Sequence, residues 1–262
     1  MEFYVYHFTQ FLLVFARIMG LMFTSTFFES SSVSNQTRMG LTFFIAIVMF
    51  PTVYQYLPNI PSNMVMYGFT AIGEALIGAL IGICVAMSFS VYQLAGQYFS
   101  VQLGLGASEV FDPMSQISLP IMGQFLYYIA ILVFFAVGGP MLILNELSNS
   151  YALVTFEGLV SGNVVMSSEY GMIGIFADIF LVAMRISLPI IAVLLAVTIC
   201  QGLLVKAAPE LNLMNIGFPI SILIGFVTIV LFVPGFVDFV YNYMDAFFSN
   251  IMKLMQEIHN AS

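Results

Sequence analysis

Long apolar stretches alternate with short polar connections along this chain. The apolar blocks cover residues 3–23, 39–57, 64–103, 117–145, 171–203 and 212–240. Within a block the apolar side chains fall on every face of a helix, as in the run from 190 to 197, whereas a transmembrane β-strand alternates apolar and polar positions. A helix satisfies its own backbone hydrogen bonds, which lipid requires. The pattern predicts an all-α, polytopic integral membrane protein with about six long apolar helical segments.

Three of the blocks exceed the roughly 20 residues that one crossing needs, so we expect helices that break or that continue outside the bilayer. From residue 241 onward, Met and Phe recur at helical spacing among charged side chains. This spacing predicts an amphipathic helix that leaves the last span.

Residues 103–116 are the clearest candidate for a broken or re-entrant segment. Gly104 and Gly106 end an apolar run there, and Asp112-Pro113 follows. Irregular backbone at membrane depth is tolerated only where it is buried in protein or lines a cavity. A dinucleotide-binding motif is rejected, because Glu109 stands where the third glycine would be and no strand precedes the segment.

Composition excludes a soluble domain and offers no enzyme chemistry. Hydrophobic residues make up 61% of the 262 and charged residues 7%, against about a quarter charged in soluble domains. The net charge of −8 argues against nucleic acid as a partner. Cys84 and Cys200 lie in apolar runs and are interpreted as small buried hydrophobic residues. His7 and His259 stand far apart, and no metal or nucleophile spacing occurs, so we expect no cofactor and no catalytic site.

The first span is expected to stay in the mature protein. The first residues lack a basic region, and no small-residue cleavage site follows the apolar run.

Four ionisable residues fall inside apolar blocks: Arg17, Glu74, Asp178 and Arg185. A charge in lipid is costly and therefore indicates a function or a partner. A proton or ion pathway is one interpretation. We favour a role in assembly, because transport pathways usually contain more intramembrane carboxylates.

A stripe of small residues surrounds Glu74 and includes Gly78 and Gly82. Small residues four apart let two membrane helices approach closely. The stripe predicts a helix-packing face at these two glycines.

Three motifs resemble the FliR family of flagellar export-gate proteins, which is related to the injectisome SctT group. Residues 96–106 read GQYFSVQLGLG and are followed by VFDP at 110–113. Residues 207–213 read AAPELNL, and IGFPI follows at 216–220. The third is Arg17 together with Arg38 at the start of the second span. A basic residue that the family often has near Ser221 is absent here.

The resemblance implies a function that composition does not show. FliR-like proteins join FliP-like and FliQ-like subunits in a helical hetero-oligomer, the type III export gate through which unfolded flagellar proteins leave the cytoplasm. They also contact FlhA-like and FlhB-like proteins. This implies a location in the bacterial inner membrane at the flagellar basal body, with membrane lipid as a further partner. A self-contained membrane transporter or channel is the alternative.

The resemblance also implies roles for particular residues. The chain would be one export-gate domain, 1–262, with a FliP-like part at about 1–170 and a FliQ-like part at about 171–262. The glycine-rich loop would be a pore plug formed by Leu103, Gly104, Leu105, Gly106, Val110, Phe111, Asp112 and Pro113. The hairpin of the FliQ-like part would contain Pro209, Asn212, Gly217 and Pro219.

Overall fold

The computed structural model describes residues 2–25, 34–57, 60, 63–104, 121–154, 172–207 and 213–261. This part of the chain is helical and contains no strand. The helices are α1 (Glu2–Thr24), α2 (Asn35–Val53, followed by a 3-10 turn at Tyr54–Tyr56), α3 (Met64–Ser100), α4 (Ile121–Ala136), α5 (Gly139–Leu153), α6 (Met172–Ala207) and α7 (Leu213–Ala261). The all-α prediction is confirmed.

Five of these helices are long and apolar enough to cross a membrane, and α4 and α5 together make a sixth candidate span. The apolar block at 117–145 is thus not one helix: α4 and α5 meet at a bend of 72°. Gly138 lies at the bend with a φ of 79°, in the left-handed region that glycine adopts without a steric penalty. Pro140 follows in the first turn of α5, where its missing N–H costs nothing.

The C-terminal segment continues the last span without interruption, because α7 runs for 49 residues. Along its final turns Phe248, Ile251 and Leu254 are buried, whereas Lys253 and Gln256 are exposed. This agrees with the amphipathic helix that the sequence predicted.

The chain divides into two compact units, and neither is continuous in sequence. The first unit combines Met1–Ser88, Gly138–Phe176 and Asp245–Ser262; the second combines Phe89–Val137 and Ala177–Met244. The resemblance divides the chain in another way, into a FliP-like stretch followed by a FliQ-like stretch. That division refers to similarity in sequence and not to contacts in the structure, so it stays a prediction.

Each unit has its own core. In the first, the rings of α1 meet those of α2 edge to face, with Phe11 and Phe43 at 5.6 Å between centroids. In the second, Tyr92 is fully buried, and its ring lies 5.7 Å from that of Phe236. There α3 and α4 also cross closely, since a Cβ on Gly96 would overlap the backbone of Gly123.

Candidate functional site

A buried ion pair joins α1 to α3 in the first unit. The Arg17 side chain is 2% exposed and that of Glu74 is 6% exposed. Arg17 Nε donates to Glu74 Oε2 at 2.6 Å. The sequence marked both residues as intramembrane charges, and the structure pairs them with each other, which satisfies both inside one chain.

The rest of the guanidinium is held by the end of α5. Nη1 donates to Ser150 Oγ at 3.0 Å, and Nη2 donates to the carbonyl oxygen of Val154 at 3.3 Å. The guanidinium carbon lies 4.1 Å from the centre of the Tyr151 ring, a cation–π contact. The Tyr151 hydroxyl in turn donates to the carbonyl oxygen of Val14 at 3.2 Å. A single buried side chain thus connects three helices.

Glycines bring α1 and α3 close enough for this pair to form. A Cβ on Gly78 would overlap the carbonyl oxygen of Arg17, and a Cβ on Gly20 would overlap that of Ala75. A Cβ on Gly82 would overlap the Thr24 hydroxyl. In the structure the stripe that includes Gly78 and Gly82 therefore packs against α1 of the same chain.

Polar atoms complete the crossing of these two helices. Thr24 Oγ1 donates across it to the carbonyl oxygen of Ala79 at 3.1 Å. The Arg17 guanidinium donates to a carboxylate, a hydroxyl and a carbonyl oxygen. It is therefore suited to fixing the positions of the helices that carry these groups. Across the described ranges, no group of three or more His, Cys, Asp or Glu is arranged to hold a metal ion.

The first residues of the glycine-rich loop are anchored in the second unit. Leu103 is fully buried, and a Cβ on Gly225 of α7 would overlap it. Gly104 has a φ of 79°, and a Cβ there would overlap the ring of Phe218. Both residues therefore require a close fit against the start of α7. The other predicted loop residues lie outside the described residues: Leu105, Gly106, Val110, Phe111, Asp112 and Pro113.

The second unit also contains a polar contact between the end of α6 and the start of α7. Gln201 Nε2 donates to the carbonyl oxygen of Gly217 and to Ser221 Oγ, both at 3.0 Å. Ser221 is buried, so the two helices pack against each other at this contact. Pro219 lies in α7 and is exposed, whereas Pro209 and Asn212 lie outside the described residues.

Asp178 and Arg185 differ from the other two charges, because both are exposed on α6. Neither forms an ion pair with the part of the chain that the structure describes. Cys200 is also exposed on this helix, so the expectation that it is buried was wrong, whereas Cys84 is buried as expected.

Sequence reasoning missed Ser150, Gln201 and the glycines at positions 20 and 225. Ser150 and Gln201 are common polar residues in apolar surroundings, and their partners lie on other helices. Gly20 had a weak signal, since it lies about one turn after Arg17, one of the four ionisable residues inside apolar blocks.

Comparison with known proteins agrees with the motifs. The family model described as "Bacterial export proteins, family 1" matches residues 8–247. The chain is 28% identical over 226 residues to the flagellar biosynthetic protein FliR of Bacillus subtilis (strain 168), covering 85% of each chain. It is 28% identical over 251 residues to FliR of Pectobacterium carotovorum subsp. carotovorum, covering 95% of this chain and 92% of that one. It is 25% identical over 249 residues to FliR of Escherichia coli (strain K12), covering 92% and 89%.

These matches confirm the resemblance and extend over nearly the whole chain, including the helices that hold the buried ion pair. With the candidate membrane spans, they support a membrane component of the flagellar export apparatus. The family is one of export proteins and not a known enzyme family. The chain belongs to the FliR family, within the bacterial export proteins of family 1.

Proposed function

We propose that this chain is a structural and gating subunit of the flagellar type III protein export gate. In this proposal it assembles with FliP-like and FliQ-like subunits around a channel for unfolded flagellar proteins, and it contacts FlhA-like and FlhB-like proteins. The assembly lies in the bacterial inner membrane at the flagellar basal body. Family membership and the near-complete coverage of the flagellar relatives support it.

The anchored base of the glycine-rich loop is the observation that carries the gating role. A movable seal needs a rigid part of the structure to which it is attached. Leu103 is fully buried, and the left-handed φ of Gly104 turns the backbone out of the helical path. In the proposal Leu103 and Gly104 form the fixed base. Leu105, Val110 and Phe111 supply the apolar seal, which excludes ions by dewetting.

The packed end of α6 and start of α7 supports the two-part construction of the chain. FliQ-like parts would contribute a helical hairpin, and Gln201 joins the two helices through Gly217 and Ser221. We assign about 1–170 to the FliP-like part and about 171–262 to the FliQ-like part. The buried ion pair of Arg17 and Glu74 then lies within the FliP-like part and holds its helices together.

Deleting residues 106–110 tests the gating role while it keeps the anchored base. The complex is expected to assemble in normal yield but to leak, because the seal is shortened and its frame is intact. Leakage is measured as small-solute uptake by cells and as conductance of the purified complex in bilayers. A deletion of equal length at 158–162, in another connection of the chain, serves as the control and should stay tight.

Two results would contradict the proposal. The first is a loop deletion that assembles and remains as tight as the control. The second is a chain that purifies without other subunits from mild detergent and transports a solute alone, which would favour the self-contained transporter.

A further inference from the structure

The first turns of α2 carry a buried arginine, Arg38, whose charge is not matched by a nearby carboxylate. Its side chain belongs to a residue that is 9% exposed, and its Nε is buried without a hydrogen-bond partner. It forms no ion pair with the part of the chain that the structure describes. The guanidinium carbon lies 5.3 Å from the centre of the Phe23 ring, a cation–π contact that leaves the charge unbalanced. A buried charge without a counter-charge is costly, so Arg38 is suited to binding an anion.

The N-terminus of α2 adds positive potential one turn before Arg38. The helix has 19 residues and no acidic side chain in its first turn. Ser34 Oγ accepts from the backbone N–H of Thr37 at 3.2 Å. The backbone N–H groups of Asn35 and Gln36 have no acceptor within the helix, and both residues are exposed. Free N–H groups at the positive end of the helix dipole favour an anion, which is the same kind of ligand that Arg38 requires.

Exposed tyrosines mark the opposite end of α1 and α2. The two helices are antiparallel, because the Arg38 guanidinium lies over Phe23 whereas the ring of Phe50 lies 6.5 Å from that of His7. The start of α1 and the end of α2 are therefore at the same end. Tyrosine is enriched at the boundary between lipid and water. The exposed tyrosines at this end are Tyr4, Tyr6, Tyr54 and Tyr56.

The length of α2 places Arg38 at the other boundary of the membrane. Tyr54 follows Arg38 by 16 residues, about 24 Å along a helix, and the hydrocarbon core is about 30 Å thick. A long arginine side chain extends toward the headgroups and covers part of the remainder. When the tyrosines lie at one boundary, the guanidinium of Arg38 therefore lies at the level of the phosphates of the opposite leaflet.

The surface of α2 between these two levels is apolar. Residues 39–53 contain no charged side chain. The exposed members of this stretch are suited to contact acyl chains: Met39, Leu41, Phe43, Phe44, Ile47 and Val48. A phospholipid supplies an anion at the level of Arg38 and acyl chains along this surface, whereas inorganic phosphate would supply the anion alone.

We propose that Arg38 and the N-terminus of α2 form a binding site for the phosphate of an anionic phospholipid. A guanidinium binds a phosphate through two parallel hydrogen bonds. The lipid carries a net charge of about −1, because a zwitterionic headgroup would bring an ammonium group and leave the arginine unbalanced. The proposal goes beyond the export function and does not depend on the gating role, since it concerns a single chain in its bilayer.

Quenching of fluorescence by brominated lipid measures the preference in a bilayer. The chain contains no tryptophan, so one introduced tryptophan reports its local lipid. Phe44→Trp places the reporter about 9 Å below Arg38 along α2. Phe69→Trp is the control, because it lies near the start of α3, which carries no arginine; the two phenylalanines are 70% and 62% exposed. The full chain is reconstituted in nanodiscs of phosphatidylcholine, and increasing fractions are replaced by phosphatidylglycerol with brominated acyl chains.

The Phe44→Trp reporter should show a preference for phosphatidylglycerol of about fivefold, the factor for one basic residue near an anionic lipid surface. The Phe69→Trp reporter should show none. Adding Arg38→Gln should abolish the preference, whereas Arg38→Lys should keep most of it, which separates loss of the site from loss of the fold. Millimolar inorganic phosphate should not displace the lipid.

Four results would overturn the proposal. Two are an equal preference at both reporters and a preference that survives Arg38→Gln. The third is displacement of the lipid by inorganic phosphate, which would assign a site for free anions. The fourth is a preference that appears only after Glu29→Gln, which would assign Arg38 to an acidic side chain of this chain. Export and leakage are measured separately, so none of these results bears on the gating role.

Discussion

Removing Glu74 is expected to destabilise the fold more than removing both members of its ion pair. Glu74→Leu leaves the Arg17 guanidinium buried, with Ser150 Oγ, the carbonyl oxygen of Val154 and the Tyr151 ring as its remaining partners. These are neutral groups, and none replaces the carboxylate 2.6 Å away. Breaking a buried pair on one side costs about 3–5 kcal/mol.

The double variant Arg17→Met with Glu74→Leu removes both charges and keeps most of the side-chain volume. Apolar replacement of a whole buried pair is often neutral or stabilising. We therefore expect the double variant to recover most of the loss, with a coupling energy of about 3 kcal/mol or more between the two sites. Two charges that were solvated would couple much more weakly.

Unfolding of the purified chain in mixed micelles, followed by circular dichroism during titration with a denaturing detergent, measures the four free energies of this cycle. Asp238→Leu is the control, because Asp238 is exposed on α7 and its loss should change stability by no more than about 0.5 kcal/mol. The reasoning is refuted if Glu74→Leu is no more destabilising than the control, or if the double variant is no better than Glu74→Leu.

Three further predictions concern single positions. Gly78→Leu should severely reduce the yield of folded chain in membranes, because the leucine side chain would overlap the backbone of α1. Gly68→Leu on the same helix is the control and should be tolerated, because position 68 has open space around it. Equal yields of the two variants would contradict this prediction. Gly104→Ala should cost more unfolding free energy than Gly138→Ala. Both have a φ of 79°, at which an alanine would bear a strain of about 1–2 kcal/mol. Only at position 104 would the added Cβ also overlap an aromatic ring, so equal losses would argue against the anchored loop. Gln201→Leu should cost about 1–3 kcal/mol of unfolding free energy in the same detergent titration, since it removes the donor to the buried Ser221 hydroxyl; no loss would mean that the packing of α6 against α7 does not depend on this contact.

Sequence alone was sufficient for the helical class and the six-segment layout. In lipid, each crossing segment must satisfy its backbone hydrogen bonds within itself. The apolar blocks could therefore be predicted as helices without knowing which other segments they contact. The bend at Gly138 was not predicted, because it lies within an uninterrupted apolar run. Hydropathy averages over such a run, whereas the bend depends on the backbone angle of one glycine and the proline that follows.

Sequence also determined that Arg17, Glu74, Asp178 and Arg185 need partners, since the cost of an intramembrane charge depends on the residue itself. The tertiary structure decided which of them find a partner within the chain. Arg17 contacts Glu74, which is 57 residues away in the sequence, and Ser150, which is 133 residues away. Only the crossing of α1, α3 and α5 brings these side chains together. Asp178 and Arg185 remain on an exposed face of α6. Spacing along one helix tells which side chains share a face, but packing between helices decides what that face meets.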